Sequence, residues 1–144
     1  MKRRREKIPA SLQRKIRRQS RFRCGYCLCS ETLLGTPLEI EHLIALAVGG
    51  TDEEENLWLC CRRCNSFKGI LTQAIDPLTG QLTNLFNPRV QHWPEHFDWS
   101  EDGVQIIGLT ECGRATVEAL KLNNPEIIVT RRLWVSVGWW PPGE

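Results

Sequence analysis

The sequence lacks any long apolar run. Its longest, residues 43–48, is six residues, where about 20 are needed to cross a bilayer. The charged N-terminus is not followed by the apolar stretch that a secretory signal requires, so the chain is expected in the cytoplasm. There is no internal repeat and no low-complexity tract, which removes solenoids and compositionally biased linkers from consideration. No Gly-rich phosphate loop is present either, which argues against nucleotide-loop enzymes. Beyond residue 23 positive charge is scarce. Eleven of the 19 Lys/Arg lie in residues 1–23 with one Glu, leaving 8 basic against 16 acidic groups in the body.

What remains is an ordinary globular composition, 41% hydrophobic and 25% charged, in 144 residues. That is enough for one small domain with an extension. Residues 1–9 read as a basic flexible arm, residues 10–72 as a core, and residues 73–144 as a Trp-rich extension of one hairpin plus helices. A basic arm ahead of an acidic body suits a chain that meets a polyanion from one side, and charge alone fits a solvated helix face equally well. Uniform coating of nucleic acid is not expected of an acidic body.

The pattern of the core follows from periodicity and punctuation. Pro9 and Ser11 open a helix running to about Gln19, with Leu12 and Ile16 inward and Arg14, Lys15, Arg17, Arg18 and Arg21 outward. Phe22 is expected to anchor the exit from that helix, and residues 30–37 read as loop. Residues 38–42 alternate apolar and polar as a half-buried strand does. Gly49 and Gly50 mark a turn, and Glu53, Glu54 and Glu55 read as solvated. Leu57, Trp58 and Leu59 form the return strand, and residues 62–69 a two-turn helix closed by Gly69. In the extension, residues 73–89 read as turns, residues 95–99 and 104–109 as a hairpin, and residues 113–122 as helix. Asn124, Pro125 and Glu126 are a helix start, although the β-branched residues behind them also suit a strand. Five of the six tryptophans lie in residues 93–140, where they build a small apolar core or dock the extension onto the first unit.

Seven cysteines are many for an intracellular chain. Cys24 and Cys27 form one C-x-x-C pair and Cys61 and Cys64 a second, with 33 residues between them. In a reducing compartment, paired knuckles of this kind read as a structural Zn²⁺ site, and Gly25 is taken to permit the tight turn around the metal. Four thiolates leave no open position on the ion, so this metal is scaffold rather than catalyst. Arg23, Arg62 and Arg63 beside the knuckles partly offset the charge of the four thiolates. Cys29, Cys60 and Cys112 read as small buried hydrophobes.

Between the knuckles sits a second set of ligand types. Glu41 can ligate a hard cation, and His42 can take a proton from water near neutral pH. Neighbours on a strand point to opposite faces, so both reach one site only where the strand end frays. Asn65 and Lys68 share a helix face, Asn65 as a neutral oxygen ligand suited to Mg²⁺ and Lys68 as a phosphate contact. Asn56 can hydrogen-bond across the intervening loop and hold His42 in place. Each residue also has a purely structural explanation. Arg89, His92 and His96 are further groups that the extension could bring near.

The order Cys-x-x-Cys, Glu41-His42, Gly49-Gly50, Asn56-Leu57, then Cys61-x-x-Cys64-Asn65-x-x-Lys68-Gly69 resembles the HNH endonuclease family in its four-cysteine zinc form. The resemblance covers residues 8–69 and implies an α+β fold, a zinc-stapled ββα-metal core with a small α+β C-terminal extension. Carried over by position, it makes His42 the general base, Asn56 the central structural Asn, and Asn65 the third motif residue. Glu41 and Asn65 become ligands of a catalytic Mg²⁺ or Mn²⁺. Many members have Asp where Glu41 stands and His where Asn65 stands. The implied reaction is hydrolysis of nucleic-acid phosphodiesters, double-stranded DNA foremost, to 5′-phosphate and 3′-hydroxyl ends. The other reading is a zinc-stapled nucleic-acid-binding module without turnover, which needs the four cysteines but not the Glu-His pair.

Overall fold

The computed structural model describes residues 8–143; most of the basic arm assigned to residues 1–9 lies outside them. Helix α1 (Ala10–Gln19) begins after Pro9 and buries Ile16, with Arg17 and Arg18 in its last turn, where cations favour the helix dipole. Arg17 also fastens the helix to the segment between it and the first strand. Its guanidinium pairs with Glu31 and donates to the Leu38 carbonyl at 2.9 Å. Residues 30–37 are not all loop: Ser30 accepts from the Leu33 amide and caps a single turn, α2 (Glu31–Leu34). Gly35, Thr36 and Pro37 directly behind it conceal that turn, whose stability comes from the cap and from the Arg17 pair. Phe22 is 46% exposed and in a left-handed conformation (φ 60°), so it does not anchor the exit from α1.

Strands β1 (Glu39–His42) and β2 (Leu57–Cys60) pair antiparallel, Glu39 opposite Cys60 and His42 opposite Leu57. Helix α3 (Arg62–Lys68) follows at once, with the Cys61 sulfur accepting from the Cys64 amide as its cap. These three elements are the expected ββα unit. Gly25, in the first knuckle, is required for space more than for its turn. A Cβ there would lie 2.5 Å from Trp58 and 2.7 Å from Pro88.

The extension contributes β3 (Gln73–Ile75) and β4 (Leu82–Asn84), a hairpin that the turn residues concealed. Asp76, directly after β3, is fully buried and accepts two hydrogen bonds from Arg114, at 3.0 and 2.9 Å. Next come α4 (Trp93–His96), the hairpin β5 (Phe97–Trp99) and β6 (Ile106–Gly108), α5 (Glu111–Ala119) and α6 (Pro125–Ser136). Asn124 caps α6 by accepting from Ile127, which resolves the helix–strand ambiguity in favour of helix. Among the described residues, three separate two-stranded sheets and six α-helices make an α+β fold.

One hydrophobic core runs through both halves. It joins Cys24, Cys27, Leu59 and Cys64 to Phe86, Phe97, Leu120, Trp134 and Trp140. Aromatic rings form its spine: Trp93, Trp99, Trp140 and Trp134 follow one another at centroid separations of 5.2, 5.0 and 5.1 Å. Arg131 is sealed beneath them, donating to the carbonyls of Leu122 and Val104. No helix among the described residues is long and apolar enough to cross a membrane.

Candidate active site

The scaffold of the site is the four-cysteine cluster. The sulfurs of Cys24, Cys27, Cys61 and Cys64 are buried and lie within 4.8 Å of one another. Tetrahedral Zn–S bonds of about 2.3 Å put ligand sulfurs ~3.8 Å apart, and Cys27 and Cys61 are 3.7 Å apart. The donor set and spacing therefore fit zinc. Arg63 supplies compensating charge, its guanidinium 3.8 Å from the Cys27 sulfur. Arg23 instead donates to the Leu28 carbonyl, and Arg62 is exposed. Cys29 and Cys60 are fully buried beside the cluster, and Cys112 is half-buried. Among the described residues the cysteines are where three or more such ligands converge.

His42 closes β1, and its imidazole Nε2 lies 2.7 Å from an Asp52 carboxylate oxygen. Its backbone is fastened from two directions. The Lys68 ammonium donates to the carbonyls of His42 and Leu43 at 3.2 and 2.9 Å. Asn56 works from the other side: its Oδ1 accepts from the Ile44 amide, and its Nδ2 donates to the carbonyls of Ile44 and Thr51. Buried Asn56 thus ties both ends of the loop between the strands. Gly50 allows that closure, because a Cβ there would sit 1.7 Å from the Ile44 carbonyl oxygen.

Lys68 is therefore not the phosphate contact expected of it. It is 3% exposed, and its charge is spent on backbone carbonyls. Asn65 is partly exposed and donates to Glu39 at 3.0 Å. Glu41 is paired within the ladder rather than frayed, and strand alternation sends it away from His42. It is 1% exposed, and its Oε1 accepts from the Tyr26 hydroxyl at 2.5 Å. Burial pushes its carboxyl up to about 7 against the opposing pull of Lys68 and of hydrogen bonds from Tyr26 and Cys60. Its second oxygen is buried with no hydrogen-bond partner, the condition that a bound cation would relieve. The expected set thus divides in two. His42 and Asn56 meet through one loop, whereas Glu41 and Asn65 engage different partners.

The basic face of α1 divides as well. Arg14 and Arg18 are exposed at i and i+4 on the helix, and Arg21 is exposed in the turn beyond its end, with a left-handed backbone (φ 56°). Lys15 pairs with Glu54 at 2.9 Å, and Arg17 is occupied by Glu31 and Leu38. From the extension, Arg89 donates to the Leu57 carbonyl at 2.8 Å behind the strand position facing His42, and stacks over Trp58. His96 is held by Thr110, and His92 is exposed.

Sequence reasoning missed Tyr26, Asp52 and Trp93. Tyr26 is the residue between the first two cysteines, and Trp93 Nε1 donates to its carbonyl at 2.8 Å. Asp52 sat in what reads as an acidic turn; its place just after Gly49-Gly50, facing the strand end, was the available signal.

Residues 24–69 match the family model described as HNH endonuclease. Over 129 residues the chain is 26% identical to the CRISPR-associated endonuclease Cas9 of Corynebacterium diphtheriae. The match covers 86% of this chain, which spans only 11% of that protein. No solved structure matches it.

Proposed function

We propose that the HNH domain is a working endonuclease that hydrolyses phosphodiester bonds of double-stranded DNA. The observation that carries this reading is the fastened His42: an imidazole at the open end of the ββα unit, its backbone clamped by Lys68 and Asn56. A merely zinc-stapled binding module has no use for that arrangement. His42 takes a proton from the attacking water, a step whose efficiency depends on holding the base in place. Glu41, through its unpartnered oxygen, and Asn65, through its side-chain carbonyl, are the residues that would hold Mg²⁺ or Mn²⁺. A divalent ion bound there would supply Lewis-acid stabilisation of the phosphate and the departing 3′ oxygen. Arg14, Arg18 and Arg21 hold the DNA backbone without reading sequence. The four-cysteine site stays structural.

The non-catalytic reading draws on one observation, the inward turn of Glu41. Plasmid nicking separates the two. Zinc-loaded protein with Mg²⁺ or Mn²⁺ is expected to nick, leaving 5′-phosphate ends, and His42→Ala is expected to abolish nicking with zinc retained. Equal cleavage by that variant removes His42 from the reaction, and no cleavage by the parent favours the binding module.

A further inference from the structure

We propose that Asp52 is the positioning residue that fixes the tautomer of His42, so that the imidazole presents Nδ1 as the basic atom. The proposal rests on the nuclease reading for its catalytic meaning and on geometry for its substance. Asp52 Oδ1 lies 2.7 Å from His42 Nε2. An ionised carboxylate only accepts hydrogen bonds, so the proton of a neutral imidazole resides on Nε2 and the lone pair on Nδ1.

The loop is built to deliver that carboxylate. Asn56 holds the carbonyl of Thr51, the residue immediately before Asp52, at 2.8 Å. It also holds Ile44, two residues after His42, through both its amide and its carbonyl. The Gly50 amide donates to the Ala45 carbonyl at 3.0 Å, closing the loop further. One buried amide side chain therefore fixes the backbone on both sides of the His–Asp contact. Asn56 acts on His42 through Asp52 as well as through the backbone.

Stability alone does not explain such a contact. The Asp52 side chain is 44% exposed, and pairs this open contribute little to folding. Orientation is where it has an effect: an imidazole that populates both tautomers offers its lone pair on the correct nitrogen only part of the time.

The experiment compares the zinc-loaded 144-residue parent chain with Asp52→Ala and Asp52→Glu. The ¹⁵N shifts of the His42 ring are read at about pH 8.5, above the ordinary imidazole range, alongside plasmid-nicking kinetics. The parent is expected to show the Nε2–H tautomer. Asp52→Ala should show a mixture, with kcat lower by about 10- to 100-fold and KM for DNA little changed. Asp52→Glu should recover part of both. An unchanged tautomer in Asp52→Ala overturns the proposal, as does a mixed tautomer with undiminished kcat. Failure of the parent to nick under any divalent metal overturns the nuclease reading instead, and the ring shifts then still decide whether Asp52 sets the tautomer.

Discussion

The Tyr26 hydroxyl donates to Glu41 Oε1 at 2.5 Å, which joins the middle of a zinc knuckle to the carboxylate that precedes His42. Tyr26 lies between Cys24 and Cys27 in sequence, and its carbonyl is held by Trp93. Three parts of the chain are therefore joined through Tyr26: knuckle, strand and extension. Tyr26→Phe removes the donor and leaves both oxygens of a buried carboxyl without it. It is expected to cost about 1–3 kcal/mol in urea unfolding of the zinc-loaded protein. A variant of parental stability would mean that this hydrogen bond contributes nothing.

Glu41 also predicts the sign of a pH dependence. Burial raises its folded value to about 7, while the unfolded chain has an ordinary carboxyl near 4.3. Between those values the folded state binds more protons. Its contribution to stability is full below the unfolded value and is lost as pH rises toward 7. The span corresponds to roughly 4 kcal/mol. Urea midpoints of the parent, less those of Glu41→Gln, should fall as pH rises from about 5 to 7 and level off above. The subtraction removes the thiolate–zinc linkage, which has the opposite sign.

Cys61 both belongs to the four-sulfur cluster and caps α3. A seven-residue helix does not persist on its own, so Cys61→Ser is expected to lose zinc and the cooperative unfolding transition together. Metal analysis and circular dichroism check this. A zinc-free, cooperatively folded Cys61→Ser protein would show that the metal is dispensable.

The arginines of α1 are expected to separate by partner. Replacing Arg14, Arg18 and Arg21 with alanine should reduce the slope of log K against log salt for duplex DNA by about 0.9 for each phosphate that is no longer neutralised. Folding should be unchanged. Arg17→Ala should instead lower the thermal midpoint, because it unpairs Glu31 and releases the Leu38 carbonyl. Equal salt slopes for the triple variant and the parent would remove this face from DNA binding.

The core was legible in the sequence because short-range signals coincide there. Two C-x-x-C pairs, a glycine turn and a glycine helix stop bracket strands whose alternation is plain, and α1, β1, β2 and α3 fall where those signals put them. The capped start of α6 was readable for the same reason, whereas α5 begins at Glu111 on a Thr110 cap, two residues ahead of the expected 113. The extension's first hairpin was not, since β3 and β4 are three residues each and mostly exposed, and their turn chemistry outweighs their strand character. The candidate site was legible in residue identity but not in direction. Whether Lys68 reaches solvent or folds back on the His42 carbonyl depends on depth, which local pattern does not record. The same holds for Glu41, where pairing with Trp58 keeps the strand regular to its end. Asp52 required the loop closure by Asn56, a tertiary event.

The shared core has one more consequence. Trp93 and Trp134 pack in the same cluster as the zinc cysteines, and the ring series from Trp93 through Trp99 and Trp140 to Trp134 is unbroken. Indole emission shifts when such rings meet water, so chelation that loosens the four-cysteine cluster is expected to change the tryptophan fluorescence of the extension.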